Sequence, residues 1–209
     1  MDHLQPVLPP DIEIKRRLGE GQRSVGYEAR WRGRRVAVKC YKPEFIAKYR
    51  GRYGVDIAQF EFDRNAAFRA LPGLAELSPE PLRVLHSADG HTPAFVQDYV
   101  DGPDIRELIG QLGYLPFELL QKARYAVDAA KAHGLHDLDL NDSNVRAVRG
   151  SDGWRPLIFD FNLMPQHLHA PNPFRKLQFK LGLRDKSFRD YQCLDIWLLI
   201  AKRRVIPAA

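Results

Sequence analysis

The sequence is poor in cysteine and in long apolar runs, and each shortage excludes a class of protein. Its 209 residues contain only two cysteines, Cys40 and Cys193. They lie far apart and match no metal-binding or redox spacing, which excludes a disulfide framework and favours a reducing compartment. No apolar run approaches the roughly 20 residues that cross a bilayer. Residues 1–10 lack the apolar stretch of a secretion signal. We therefore expect a cytoplasmic protein.

The overall composition is that of an ordinary soluble protein, but its charge is uneven. Apolar residues make up 44% and charged residues 28% of the chain, enough for one or two compact units with a sizeable core. The net charge is +6, and residues 15–52 hold thirteen Lys or Arg against three acids. No recognised nucleic-acid motif accompanies this charge, so we expect no nucleic-acid partner.

Two carboxylates and one carboxamide lie close together in the second half of the sequence. Asp139 and Asn144 are five residues apart, and Asp160 follows Asn144 by sixteen. Phosphoryl transfer needs a carboxylate to accept the proton of an attacking hydroxyl, and oxygen ligands to hold Mg2+ against the ATP phosphates. The spacing favours Asp139 for the first role, and Asn144 and Asp160 for the second.

The first half of the sequence has the pattern of a nucleotide-binding loop between strands. Alternating apolar residues predict strands near Ile12, over 27–31 and over 35–41, with a hairpin turn at 32–33. The loop between the first two strands contains Gly19, Glu20, Gly21 and Ser24. Glycine lets phosphate oxygens approach the backbone, because no side chain intervenes. Lys39, on the third strand, suits contact with the same phosphates.

In their order and spacing, these motifs resemble those of the protein-kinase superfamily. The resemblance covers residues 12–200 and rests on Gly19, Gly21, Lys39, Asp139, Asn144 and Asp160. It implies an α+β fold with an N-lobe over 1–97 and a short, mainly helical C-lobe over 98–209. The N-lobe would hold an antiparallel five-stranded sheet and one helix. The resemblance also implies ATP and Mg2+ as cofactors.

The resemblance implies roles for further residues. A helix over 56–71 would carry the acid that pairs with Lys39, and both Glu61 and Asp63 fit that role. The backbone of Asp98, Tyr99 and Val100 would contact the adenine. Asp190, in a helix over 190–197, would act as a scaffold that bonds the catalytic-loop backbone. Two further C-lobe helices are expected over 105–112 and 117–133.

The sequence also departs from the family pattern. Ser24 replaces the third glycine of the loop, Leu138 the arginine of H-R-D, and Asn162 the glycine of D-F-G. Asn141 stands where protein kinases commonly carry a lysine. Without the arginine, regulation by phosphorylation of an activation loop is not expected. No A-P-E segment follows Asp160, and too few residues remain for the full set of late C-lobe helices.

These departures narrow the resemblance to small bacterial-type atypical kinases, similar to lipopolysaccharide-core sugar kinases and RIO-type kinases. The leading hypothesis is an ATP- and Mg-dependent kinase that phosphorylates a sugar hydroxyl of a lipopolysaccharide-core or related glycolipid. Two alternatives stay open: a small Ser/Thr protein kinase that acts on a protein hydroxyl, and a pseudokinase that binds nucleotide and regulates a partner. The sequence leaves the oligomeric state undetermined.

The segment 174–184 is basic and has apolar residues at helical spacing. Phe174, Leu177 and Leu181 share one face of a predicted helix, with cations around them. Such a helix suits peripheral contact with an anionic membrane surface, on the inner face of the membrane. The ordinary expectation is that a short amphipathic helix packs its apolar face against the core.

Overall fold

The computed structural model describes residues 6–161 and 165–203, so the prediction for Asn162 lies outside the described residues. The chain divides into two compact units. Unit 1 comprises Met1–Ala66 and Pro79–Val100, and unit 2 comprises Ala67–Ser78 and Asp101–Ala209.

Unit 1 is built on an antiparallel five-stranded sheet with the strand order β1-β2-β3-β5-β4. The strands are β1 (Ile12–Glu20), β2 (Ser24–Trp31), β3 (Arg34–Tyr41), β4 (Pro81–Leu85) and β5 (Ala94–Asp98). Arg32 and Gly33 both have positive φ, as a tight hairpin turn requires. This confirms the three strands and the turn predicted from the alternation of apolar residues. Val36, Val38 and Val96 form the buried centre of the sheet.

Two helices accompany this sheet, where the sequence predicted one. The expected helix is α2 (Ile57–Arg69), and the unexpected one is α1 (Pro43–Tyr53). Pro43 begins α1, and Gly54 ends it in the left-handed conformation. Tyr49 is the one buried residue of α1, so the segment lacks the apolar periodicity from which a helix is predicted.

Unit 2 is mainly helical and contains one hairpin. Its elements are α3 (Ile105–Leu112), α4 (Phe117–Ala132), β6 (Val145–Gly150), β7 (Gly153–Ile158), α5 (Pro173–Lys180) and α6 (Phe188–Arg203). Helices α3 and α4 confirm the predictions for these segments. One face of α4 is buried, including Leu119, Ala123 and Val127, and packs into the core of the unit with Trp197 of α6. The expected α+β fold class, with a five-stranded antiparallel sheet and helices, is confirmed.

Helix α5 does not pack in the way that the periodicity of its sequence suggests. Its buried residue is Phe179, while Phe174, Leu177 and Leu181 are exposed. The expectation of a core-facing apolar stripe is therefore wrong for these three side chains. None of the helices in the described residues has the length and apolar character needed to cross a membrane.

Candidate active site

The ammonium of Lys39 is bound by the carboxylate of Glu61 within unit 1. Lys39 lies on β3 between Gly26 of β2 and Phe95 of β5 in the sheet register. Its Nζ lies 2.8 Å from both carboxylate oxygens of Glu61 on α2. The side chain of Glu61 is 2% exposed and that of Lys39 is 21% exposed, so a buried acid fixes a partly accessible cation.

Of the two acids left open by the sequence, Glu61 forms this ion pair. Asp63 is exposed and accepts a hydrogen bond from Gln59 Nε2 at 2.8 Å. The hydroxyl of Tyr41 also donates to Glu61 Oε2. Tyr41 was not among the predicted site residues. Its position two residues after Lys39, on the same face of β3, is the sequence signal that could have found it.

The glycine-containing loop joins β1 to β2 in a tight turn. The amide of Gly21 donates to the carbonyl of Ser24 at 2.9 Å. A Cβ at Gly19 would meet nothing within 4 Å, so packing does not require glycine there. The side chain of Glu20 forms ion pairs with Arg17 and Lys42, so the backbone is the part of Glu20 suited to phosphate.

The segment expected at the adenine, residues 98–100, has most of its amides in use. The amide of Asp98 donates to Glu80 O at 2.9 Å, and that of Tyr99 to Arg35 O at 3.3 Å. Within residues 6–161 and 165–203, the amide of Val100 has no acceptor. A hydrogen bond to adenine from an amide here would therefore come from Val100.

The candidate catalytic loop of unit 2 has an uncommon backbone conformation. Asp137, Asp139 and Asp160 have φ values of 57°, 64° and 57°. Among the described residues, only Arg32 also has positive φ without being glycine. Such conformations cost about 1–3 kcal/mol each, and they cluster at functional sites where the surrounding structure enforces them.

Asp190 braces this loop from α6. Its Oδ2 accepts the amide of Leu138 at 2.9 Å, and its Oδ1 accepts the amide of Leu140 at 3.0 Å. These two amides flank Asp139, so one buried carboxylate holds the backbone on both sides of it. Burial raises the pKa of Asp190 to about 6, although the two amide hydrogen bonds act in the opposite direction.

Asn144 connects the loop to the segment that carries Asp160. Its Nδ2 donates to the carbonyls of Asp139 at 3.0 Å and Asp160 at 3.4 Å. The carbonyl of Asn144 accepts the amide of Phe159 at 3.0 Å. Unit 2 thus brings together Asp139, Asn144 and Asp160.

The side chain of Asn141 stabilises the loop itself. Its Nδ2 donates to Asp139 O at 3.0 Å, and its Oδ1 accepts the amides of Ser143 and Asn144. This is the local side-chain-to-backbone bonding at which asparagine is effective.

A cation from α6 contacts the candidate base. Arg189 donates through Nη2 to Asp139 Oδ1, and its Nη1 lies 3.6 Å from Asp137 Oδ1. The sequence did not identify Arg189, because a contact across about 50 residues has no local pattern. Its position next to Asp190 is the one signal that could have found it.

A cavity of about 550 Å³ opens beside this loop. Its lining includes Leu140 and Arg189, which are respectively the neighbour in sequence and the ion-pair partner of Asp139. The polar lining comes from α3, the loop and α6, and includes Asp104, Arg106, Asn141, Asp142 and Gln192. Asp142 accepts a hydrogen bond from the indole of Trp197 at 2.8 Å, which fixes one wall.

The oxygen atoms near Asp160 suit Mg2+. Nδ2 of Asn144 is used by the fold, and its Oδ1 accepts the hydroxyl of Ser143 at 3.4 Å. Oδ1 of Asn144 and the carboxylate of Asp160 are the oxygen atoms that would hold the metal. Mg2+ prefers hard oxygen ligands and commonly takes one or two protein ligands, with phosphate oxygens and water completing the shell. The residues present therefore fit the metal.

Comparison with solved structures identifies the fold. Two crystal structures of the PknI kinase domain from Mycobacterium tuberculosis, a double mutant and a single mutant, are similar to this chain. The double mutant is 22% identical over 93% of this chain and 75% of its own, with a TM-score of 0.59. The single mutant is 24% identical over 90% and 72%, with a TM-score of 0.57. No protein-family model matches the sequence, and no curated protein matches it. The chain thus has the protein-kinase fold.

Proposed function

We propose that this protein is a phosphotransferase that moves the γ-phosphoryl group of ATP to a hydroxyl. The observation that carries the proposal is the hydrogen bonding of Asn144 to the backbone of both Asp139 and Asp160. It gathers a candidate base and two candidate metal ligands in one loop cluster of a kinase fold. The pair of Lys39 with Glu61 in unit 1 supports the same proposal.

Each residue has a distinct role in the proposed reaction. Asp139 orients the acceptor hydroxyl and takes its proton as the oxygen attacks the γ-phosphorus. Asn144 Oδ1 and the Asp160 carboxylate would hold Mg2+, which would neutralise phosphate charge. Lys39, oriented by Glu61, contacts the phosphates. Positioning and electrostatics supply the rate acceleration in such reactions, because the transition state needs no covalent bond to the protein.

The acceptor we propose is a sugar hydroxyl of a lipopolysaccharide-core or related glycolipid. The cavity beside the candidate catalytic loop supports this, because its lining includes acidic, basic and amide side chains, among them Asp104, Arg106 and Gln192. A polyhydroxylated ring pairs with such groups without requiring a single net charge. A glycolipid acceptor would also place the protein on the cytoplasmic face of a membrane.

Transfer from radiolabelled ATP to cell-envelope glycolipids, in the presence of Mg2+, tests the proposal. We expect Asp139→Asn and Asp160→Ala each to abolish detectable transfer, a loss of about 100-fold or more. Asparagine tolerates the positive φ at position 139, so Asp139→Asn should keep the wild-type circular dichroism and melting temperature. Unchanged turnover in either variant would refute the assignment.

The same assay separates the enzyme alternatives. Label in the sugar fraction supports the glycolipid acceptor. Label in the protein itself or in an added Ser/Thr peptide, with none in the sugars, would identify a small protein kinase instead. That result would leave the roles of Asp139 and Asp160 intact and overturn the acceptor alone.

A pseudokinase is the second candidate, and the contact of Arg189 with Asp139 favours it. A carboxylate held by a guanidinium is a weaker base than one facing only water. If this pair silences the site, Arg189→Gln should raise transfer. If the protein is active as it stands, Arg189→Gln should leave transfer unchanged or lower it. A thermal shift with Mg-ATP, in the absence of transfer to any acceptor, would favour the pseudokinase.

A further inference from the structure

Helix α5 and the residues that follow it present an apolar surface to solvent. Phe174, Leu177, Leu181 and Leu183 are 67%, 50%, 59% and 74% exposed. Phe179 is buried, and its ring lies 6.5 Å from that of His167. Phe174, Leu177 and Leu181 recur at helical spacing, on the side of α5 away from Phe179. The helix is therefore anchored on one side and apolar on the other.

The exposed apolar side chains of α5 contrast with those of α4, the helix that precedes it in the sequence. The apolar face of α4 is buried, with Leu119, Leu120 and Val127 in the core. Unit 2 therefore has a formed core, so the lack of a core does not explain the exposed apolar side chains of α5. Contiguous exposed apolar side chains bordered by polar residues mark interaction sites.

The border of this surface is strongly basic. Residues 173–186 contain five cations and one acid, and that acid, Asp185, is paired with Lys131. Lys176, Lys180 and Lys186 are exposed. None of the three forms an ion pair within the part of the chain that the structure describes. Their charge is thus available to an external anion.

We propose that this surface docks on an anionic membrane. We define the docking face as Phe174, Leu177, Leu181 and Leu183 with Lys176, Lys180 and Lys186. The four apolar side chains would enter the headgroup region, and the lysines would lie at the lipid phosphates. Basic residues around an apolar stripe are the pattern of helices that lie in a membrane interface. Anionic lipids attract each nearby lysine, which together with apolar insertion gives stable binding.

The chemistry of the docking face favours a bilayer over other anionic partners. A nucleic acid would satisfy the lysines but would leave four apolar side chains in water. A folded acidic protein would need a groove shaped to the helix. A bilayer accepts apolar side chains in any arrangement and carries phosphates at its surface, so it suits both the apolar side chains and the lysines of the docking face.

Sedimentation with vesicles tests this proposal without ATP. We expect the protein to co-sediment with vesicles that mix phosphatidylcholine and phosphatidylglycerol, and to stay in solution with phosphatidylcholine alone. Added salt should weaken the binding, because screening reduces attraction between charges. Leu177→Asp and Leu181→Asp should each reduce binding about tenfold or more, because each removes a leucine side chain from the apolar contact. Lys176→Glu and Lys180→Glu should each reduce it about fivefold or more.

Two control variants match these changes elsewhere in the chain. Leu199→Asp replaces a leucine on α6 that is 59% exposed, as Leu181 is. Lys48→Glu changes the net charge by the same amount as Lys176→Glu, on the exposed side of α1. Both controls should bind vesicles as the wild type does, and circular dichroism should show all variants folded.

Three results would overturn the proposal. The first is a wild type that ignores anionic vesicles. The second is an equal loss of binding in Leu199→Asp or Lys48→Glu. The third is a dimer in sedimentation velocity that Leu177→Asp dissociates, which would assign the face to a second copy of this chain.

The docking proposal deepens the proposed glycolipid acceptor, but its failure is separable from that of the kinase proposal. Asp139→Asn should bind vesicles as the wild type does while transfer is lost. Vesicle binding without any transfer would leave the docking face standing and remove the enzyme. Transfer to a soluble sugar without vesicle binding would support the kinase proposal and overturn the docking proposal.

Discussion

The two units hold their candidate functional groups by opposite means. In unit 1, Lys39 and Glu61 project from a regular strand and a regular helix, and packing buries the acid. In unit 2, Asp139 and Asp160 lie on irregular backbone with positive φ, and side chains brace the loop. Regular elements need only the correct side chain at the correct position. A strained loop needs additional partners, and Asn141, Asn144 and Asp190 supply them.

This difference implies that burial of charge controls the energetics of the unit 1 pair, and that backbone conformation and its bracing by buried side chains control those of the loop. Substitutions in each unit measure the two contributions separately.

The largest effect on stability should come from Lys39→Met. It leaves a carboxylate that is 2% exposed without the bound ammonium, so we expect a loss of about 3–5 kcal/mol in the free energy of unfolding. Glu61→Gln should cost less, about 1–3 kcal/mol, because the 21% exposed Lys39 can reach water. Urea denaturation measures both, with the exposed Lys48→Met as control. Equal losses in both variants would contradict this asymmetry.

A smaller, pH-dependent effect should come from Asp190→Asn. Burial raises the pKa of Asp190 from 3.8 to about 6, so the folded protein retains a proton that the unfolded chain loses. The stability contributed by this group therefore falls as the pH rises from about 4 through about 6. Asparagine does not titrate.

The advantage of the wild type over Asp190→Asn in the free energy of unfolding should thus be largest near pH 4. It should shrink by up to about 2 kcal/mol towards pH 7. Denaturation of both proteins across this range measures the difference, in which the other titrating groups cancel. An advantage that grows with pH would show that the two amide hydrogen bonds outweigh burial.

The smallest effect is the difference in stability between glycine and alanine variants, which should have opposite signs in the two regions. At position 139, where φ is 64°, Asp139→Gly should be more stable than Asp139→Ala by about 1 kcal/mol. On strand β3, Lys39→Gly should be less stable than Lys39→Ala by about 0.5–1 kcal/mol, because glycine loses more backbone entropy. Thermal melts of the four variants would test this. The same order at both positions would show that the loop is not strained.

Much of the regular structure could be predicted from the sequence. Strands β1 to β3 follow from apolar alternation, the turn at 32–33 from its Arg-Gly pair, and helices α3 and α4 from the family resemblance. Helix α1 could not be predicted, because it buries little more than Tyr49. The exposure of Phe174 and Leu177 could not be predicted either, since a periodic pattern shows that a face is apolar but not what covers it.

The site residues divide in the same way. Motif spacing selected Lys39, Asp139, Asn144 and Asp160, and their catalytic roles stay predictions. The choice of Glu61 over Asp63 required the structure, because both lie on one helix within two residues. Arg189 and Tyr41 belong to no motif, and only the folded chain places them at Asp139 and Glu61.

The bracing of the loop by Asp190 has a consequence for protein synthesis. The carboxylate that bonds Leu140 lies 50 residues further along the chain. During translation, the amides of Leu138 and Leu140 therefore gain this acceptor only after α6 has left the ribosome. Since domains fold progressively from the N-terminus as they emerge, unit 1 can complete its sheet while the loop is still unsupported. A nascent chain arrested before Phe188 would thus lack the brace that orders Asp139, however much of the polypeptide had already been made.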